Sequence, residues 1–364
     1  MRFPGFGGEW EREKLRDKCS FYSGGTPSSS NKSYYNGEIP FIRSGEISGD
    51  STELFLSEFG LNNSSAKMVD IGDLLLALYG ATSGQIAISK IRGAINQAIL
   101  CIKSSYDNIF LKSVWEKHVD KILQAYLQGG QGNLSADIVK NLSFYFPSLD
   151  EQNKISKLIV LIDERIATQN KIIEDLKKLK VAIRDKQLNT IRKHYGLNYQ
   201  ICDLLDYEQP TKYVVTDTEY SEDRSKTPVL TANKAFILGY TDESFGVYDK
   251  GACIILDDFT LDCKYVDFPF KVKSSAIKIL TVKNGCSLRY VYEYLNYMNL
   301  ETTEHKRHYI SEIEPMIIAY PTDKKGIDDF NNIMSSFESK IEIENKYLQS
   351  LLTQKVYLLS NMFI

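Results

Sequence analysis

The feature that most constrains this chain is a long heptad pattern that occurs twice at a constant offset, the one that carries Ile155 to Phe330. In the first copy, apolar residues stand at Ile155, Ile159, Ile162, Ile166, Ile173, Leu176 and Ile183. In the second they stand at Phe330, Met334, Phe337, Ile341, Leu348, Leu351 and Leu358. The steps alternate between four and three once the polar positions Gln169 and Lys180, and their counterparts Glu344 and Lys355, are included. That spacing is the seam of a coiled coil, in which a polar residue fixes register at some cost in stability. Asn170-Lys171 recurs as Asn345-Lys346, and Lys180-Val181 as Lys355-Val356, so the pattern is an internal repeat. Each copy follows a strand-like run that ends in proline, Phe144-Tyr145-Phe146-Pro147 and Ile318-Ala319-Tyr320-Pro321. A strand and a turn into a long helix is the local reading of both.

Ahead of each helix the texture changes. Short β-branched and aromatic runs, such as Ile39–Ile42, Leu74–Leu78, Pro228–Leu230 and Cys253–Leu256, alternate with Gly, Ser and Asn turns. This predicts strands in a mixed α/β (α+β) domain. The two regions align loosely, Ile39–Ile42 with Thr227–Leu230 and Gly72-Asp73-Leu74 with Gly251-Ala252-Cys253, whereas their loops differ. The predicted layout is a domain over 1–149, a helix over 150–193, a second domain over 194–322 and a second helix over 323–364.

Composition removes several classes. Apolar residues make up 43% and charged ones 25%, enough to build cores. No apolar run reaches the length of a membrane span, and Met1 to Trp10 has no signal-peptide core, so a cytoplasmic protein is expected. The six cysteines include no CxxC pair, which supports neither a zinc ribbon nor a disulfide framework. The formal charge is −3. Segment by segment it is 0 over 1–146, +4 over 147–193, −6 over 194–321 and −1 over 322–364. Bulk charge therefore does not coat nucleic acid, and any DNA face must be a local patch.

Catalytic signatures are thin. No Pro-Pro occurs, so the Asn/Asp-Pro-Pro-aromatic loop of an amino-methyltransferase is absent, and so is a GxxxxGK[ST] phosphate loop. Asp262-Cys263-Lys264 after Asp257 and Asp258 has the letters of a metal nuclease at short spacing. His305-x-x-His308 offers two imidazoles with no third ligand, and Lys306-Arg307 between them repels a cation. We expect no cofactor and no metal.

A set of local motifs resembles one family. Arg2-Phe3-Pro4-Gly5-Phe6 with Glu9-Trp10, Ser23-Gly24-Gly25-Thr26-Pro27, and Tyr34 through Ile42 are similar to the start of specificity (S) subunits of type I restriction–modification systems. So are Gly72–Leu75, Tyr79–Gly84 and Asn96-Gln97-Ala98. Pro147-Ser148-Leu149-Asp150-Glu151-Gln152 with Ile155 resembles the family's P-x-x-x-E-Q-x-x-I entry to its central helix. The second helix departs, since Pro321 through Ile327 lacks the Glu-Gln pair.

The resemblance implies two target-recognition domains separated by an antiparallel pair of long helices, each domain reading half of a bipartite site in double-stranded DNA. It also implies a non-catalytic role: two adenine-methyltransferase (modification) subunits dock on the scaffold, and restriction–translocation subunits complete the nuclease. Two other classes remain open on the residues, a helical scaffold that binds only protein and a specificity module with its own nuclease site.

Base edges are read by Arg and Lys at guanine and by Asn and Gln at adenine. Candidates in the first domain are Lys32, Tyr34, Tyr35, Arg43, Ser44, Tyr79, Ser83, Gln128, Gln131 and Asn133, all in Gly-punctuated loops. In the second they are Thr231, Asn233 and Lys234, aligned with the Arg43 region, and His305, Lys306, Arg307 and His308, aligned with Gln128–Asn133. The helix core is expected at Ile159, Ile162, Ile166, Ile173, Leu176, Met334, Phe337, Ile341, Leu348 and Leu351.

Overall fold

The computed structural model describes residues 2–126, 134–232, 235–283, 285–302 and 306–363. The chain forms two compact units, Met1–Asn170 with Lys346–Ile364, and Lys171–Asn345. Each unit therefore takes one recognition-type domain and half of each long helix, where the sequence layout had four consecutive segments. No helix among the described residues is long and apolar enough to cross a membrane.

The first unit opens with a two-stranded antiparallel ladder, Glu11–Lys14 against Ser143–Phe146. Its main sheet runs in the order Cys19–Ser23, Ile99–Ser104, Leu74–Ala77, Ile86–Ile88. A second sheet holds Tyr35–Ile42 between Phe55–Leu56 and Gly93–Ile95, and the pair Tyr35–Ile42 with Gly93–Ile95 is parallel. The second unit repeats this plan. Its ladder is Tyr199–Gln200 against Ile317–Ile318. Its main sheet runs Leu205–Glu208, Ile277–Val282, Cys253–Asp257, Cys263–Val266. Its parallel pair is Thr227–Leu230 with Lys271–Val272. The strands aligned from sequence, Ile39–Ile42 with Thr227–Leu230 and Leu74 with Cys253, thus hold equivalent places.

A helix packs on each main sheet, Asn108–Tyr126 in the first unit and Leu288–Met298 in the second. Phe110, Leu111, Val114, Trp115 and Ile122 bury one face of the former against Leu74, Leu76, Leu100 and Ile102. Tyr290, Val291, Tyr294 and Leu295 do the same in the latter against Ile254, Leu256 and Leu280. Apolar spacing of three and four residues on these helices meets the period-two faces of the strands.

The long helices are Leu149–Tyr195 and Lys324–Met362. The Glu-Gln entry motif has a structural task. Glu151 pairs with Arg2 at 2.7 Å, while Gln152 donates to the Pro147 carbonyl and accepts from the Asp107 amide. The second helix, lacking that pair, starts with Asp323 accepting from the Gly326 amide at 2.7 Å, an N-cap. The first helix stops at Gly196, whose φ of +68° closes a left-handed cap; its N–H reaches the Arg192 carbonyl at 3.0 Å.

The seam is antiparallel in both units. In the first, Ile155 and Ile159 share a core with Met362 and Phe363, while Arg165 donates to the Tyr347 hydroxyl. In the second, Leu188 shares a core with Phe330 and Met334, while Lys180 meets Glu338. Of the ten expected core positions, Ile159, Ile162, Ile173, Met334 and Leu351 are buried, and Ile166, Leu176, Phe337, Ile341 and Leu348 are half-buried. Gln169 is buried in the seam, whereas Glu344 turns to Lys340 on its own helix.

The lysines in the seam have a reason to be there. Lys180 Nζ lies 2.6 Å from Glu293 and 2.9 Å from Glu338. Its counterpart Lys355 lies 2.8 Å from Asp163 and 3.8 Å from Glu116. The repeat offset also carries Asp163 to Glu338, and Glu116 and Glu293 sit on the two sheet-packed helices. The same three-cornered ion pair therefore ties domain to helix in each unit.

Candidate nucleic-acid interface

In the first unit the Gly-rich motifs converge. Gly24 follows the Cys19–Ser23 strand so closely against its neighbour that an added Cβ would stand 1.7 Å from the Ile95 carbonyl oxygen. That approach lets Thr26 Oγ1 donate to Gln97 Oε1 at 2.6 Å, so the Ser23–Pro27 and Asn96–Ala98 motifs meet through two exposed side chains while Gly25, Pro27 and Ala98 are buried beneath them. Sequence reasoning recognised both motifs but assigned neither Thr26 nor Gln97 to the interface. The Tyr79–Gly84 turn is fastened by Ser83 Oγ donating to the Leu78 carbonyl at 3.0 Å and by Trp115 Nε1 donating to the Gly84 carbonyl at 2.8 Å. Tyr79 stays exposed on it.

Lys32, exposed, opens a short 3-10 turn through Tyr34 that is capped by Asn31. Tyr34 leans on Phe59 with ring centroids 5.5 Å apart, and Phe59 is itself largely exposed. Tyr35 is half-buried and its hydroxyl donates to the Pro27 carbonyl. Arg43 differs from the expected free base reader. Its Nε and Nη2 form a fork on Glu46 at 3.0 Å each, and Nη2 also reaches Glu53 at 2.5 Å. The hydrogen bond from Arg43 holds the Glu46 carboxyl below its ordinary range. The guanidinium thus fixes the loop that presents half-buried Ser44. Gln128, Gln131 and Asn133 lie outside the described residues.

The second unit rearranges more of the expected set. Thr231 is buried, with its amide on the Phe236 carbonyl at 2.9 Å. Asn233, Lys234 and His305 lie outside the described residues. Lys306 pairs with Glu312 at 2.9 Å, and exposed Arg307 lies over the Phe259 ring at 5.9 Å. His308 is a correction. It is 2% exposed, Nδ1 lies 2.8 Å from Glu312 and Nε2 2.8 Å from Thr302, so neither ring nitrogen is left for a base or a metal. Its amide and that of Tyr309 donate to Asp258, which lies 3.5 Å from buried Lys278. Asp257 accepts from the Phe259 and Thr260 amides, and Cys263 is buried, its thiol pushed up to about 12 by burial. The nuclease-like letters here build a hairpin, Asp257 ending one strand, Asp258 in the turn, and Cys263-Lys264 opening the next strand. Among the described residues no group of three or more His, Cys, Asp or Glu is placed to hold a metal ion.

The two units share a repeated frame with unlike edges: amides, hydroxyls and tyrosines in the first, Arg307 and Lys306 in the second. Residues 7–178 match the family model described as the type I restriction modification DNA specificity domain. The chain is 48% identical over 125 residues to the EcoR124I/EcoR124II specificity subunit of Escherichia coli, covering 33% of this chain and 31% of that one. It is 24% identical over 298 residues to the MjaIX specificity subunit of Methanocaldococcus jannaschii, covering 77% and 67%. The matched stretch is thus under a third of the E. coli relative's length. The fold resembles the crystal structure of the type I restriction–modification S subunit from M. genitalium, with a TM-score of 0.57, 14% identity, and 100% and 99% of the two chains covered. A chain solved in work on type I complex assembly and conformational transition gives a TM-score of 0.59 at 13% identity, with 97% of each covered. Residues 7–178 thus carry the likeness to the type I restriction modification DNA specificity domain, and the chain as a whole shares the fold of the solved S subunit from M. genitalium.

Proposed function

We propose that this chain reads a bipartite DNA target, one half-site per recognition domain, and carries the methyltransferase and restriction–translocation subunits of its complex without catalysing either reaction. The observation that carries the reading is the repeated sheet plan with unlike loops. A shared frame places a recognition edge twice, and different side chains on it select different bases. Candidate contacts are Lys32, Tyr34, Tyr79, Thr26 and Gln97 in one domain and Arg307 with Lys306 in the other, alongside Gln128, Gln131, Asn133, Asn233, Lys234 and His305. Arg43, Tyr35, Ser83, Thr231 and His308 hold loops in place.

Two docking sites for methyltransferase subunits are supported by apolar side chains left exposed on the long helices, among them Leu161, Leu179 and Ile343. Val181 and Val356, both exposed, are two copies of one position in the repeat. Exposed apolar side chains in such number on a helix mark a protein contact.

The test is reconstitution. The purified chain alone is expected to neither methylate nor cleave DNA, and to restore site-specific adenine methylation when mixed with its methyltransferase partner. Methyl transfer or metal-dependent cleavage by the chain alone refutes the non-catalytic role. Partner binding without any salt-dependent DNA binding favours a protein-only scaffold.

A further inference from the structure

The Glu11–Lys14 strand alternates acid and base, so that Arg12 and Lys14 share one face of its ladder while Glu11 and Glu13 share the other. Arg12 stands directly opposite Tyr145. Beside this pair the Asn108–Tyr126 helix brings His118, Lys121 and Tyr126, and the five residues line one concave site of about 460 Å³. Arg12, Lys121, Tyr126 and Tyr145 are exposed, and no carboxylate lines the site among the described residues. Neither Arg12 nor Lys121 has an ion-pair partner among the described residues, whereas Arg43, Lys103 and Lys112 of the same unit do. His118 is half-buried, and its pKa is lowered first by burial and then by the neighbouring charges of Lys117 and Lys121.

The second unit lacks this feature. Leu15 and Ile201 open matching short helices, so Asn198 stands where Arg12 stands, and it is spent on the Tyr320 backbone. Matching Glu116 with Glu293 puts Leu295 and Met298 in the places of His118 and Lys121, and neither is charged. The frame therefore does not require these cations.

We infer that Arg12, Lys121 and His118, flanked by Tyr126 and Tyr145, form a phosphate-binding patch through which the first domain alone grips the backbone of a DNA duplex. The inference rests on the DNA-reading function proposed above. Cations beside aromatic rings in a concave, carboxylate-free site match a phosphodiester with its sugar. The patch also runs, in sequence, directly into Gln128–Asn133, the amide-rich stretch proposed to read bases, since Tyr126 ends the helix. Phosphate contacts fix register without selecting sequence, so this patch sets affinity and leaves the recognised motif alone.

The experiment compares the full chain with its methyltransferase partner as wild type, Arg12→Gln/Lys121→Gln, and the charge reversal Arg12→Glu/Lys121→Glu. Both positions are exposed, and a thermal melt checks folding. Binding to cognate and scrambled duplexes is measured between 50 and 200 mM salt. Loss of two phosphate contacts lowers the slope of log K against log salt by roughly 2, so the wild-type advantage shrinks about tenfold across that range. The expected result is that slope change, equal on both duplexes, with the methylated motif unchanged and a larger loss for the reversal. Variants that bind duplex like wild type overturn the patch while leaving the DNA-reading function standing. A loss confined to methyltransferase binding overturns it in favour of an acidic protein surface. A wild-type complex that fails to bind any duplex overturns both.

Discussion

Replacing Lys180 by Met removes the cation from a carboxylate that has almost no access to water. Glu293 is 2% exposed in its side chain and Lys180 18%, with 2.6 Å between them. Breaking one side of a buried ion pair costs about 3–5 kcal/mol, because the remaining charge is left without compensation. Arg184 lies 3.9 Å from the same carboxylate and offsets part of that. We therefore expect about 3 kcal/mol at Lys180, the low end of the buried-pair range. For a unit of this size that lowers the melting temperature by about 6–12 °C. The counterpart Lys355→Met removes the same corner of the same motif, but Asp163 is 40% exposed and Glu116 27%, so water replaces the cation. There the expected cost is about 0–1 kcal/mol. Urea titration and calorimetry of the full chain separate the cases, with the loss at Lys180 confined to the transition of the second unit. Glu293→Gln in the Lys180→Met background should recover part of the stability, since no buried charge then remains. Equal costs for the two lysines, to within about 0.5 kcal/mol, would refute the burial reasoning.

The remaining expectations concern acid stability, base reading and spacing. Hydrogen bonds from Lys271 and Thr216 hold the Glu243 carboxyl at about 2, below its ordinary 4.5, so its stabilisation is complete above pH 4.5 and is lost as pH falls toward 2. Acid unfolding of Glu243→Gln should show a flatter pH dependence in that window, on a lower baseline because Lys271 is fully buried; an unchanged profile contradicts the assignment. Gln131→Ala should alter one half-site, while Asn233→Ala or Arg307→Ala alters the other, by roughly 1–3 kcal/mol for a direct base contact. Arg43→Ala should weaken the first half-site through its loop, and methylome sequencing that shows either half relaxed by every variant refutes the division. Inserting four residues near Gln169 should lengthen the first helix by about 6 Å and the spacer by one or two base pairs, at about 3.4 Å each. Some stability is lost because the heptad phase breaks, and an unchanged spacer in a folded, active variant excludes the helices as a ruler.

Periodicity was legible in the chain itself. Steps of three and four residues from Ile155 to Ile183 and from Phe330 to Leu358 can be satisfied only by helices that bury one stripe, and the recurrence of Asn170-Lys171 as Asn345-Lys346 in the same phase declared a duplicated unit. The alternation of strand-like runs with Gly and Asn turns gave the domain class, and the alignment of Ile39–Ile42 with Thr227–Leu230 matched the two parallel pairs. Helix ends shifted by one or two residues where caps such as Gly196 decide them.

Residue roles followed different rules. Whether Arg43 is free depends on Glu53 arriving from the far side of a loop, and whether His308 faces solvent depends on Asp258, fifty positions earlier. The patch joins Arg12 to His118 and Lys121 across a ladder whose second strand begins at Ser143. Local spacing carries secondary structure because neighbours within two helical turns share a face. The availability of a charge is a long-range property, set by which segment the fold brings within hydrogen-bond distance. That is why the sequence alone determined the architecture, and only the tertiary structure separated the side chains that hold loops from those left exposed.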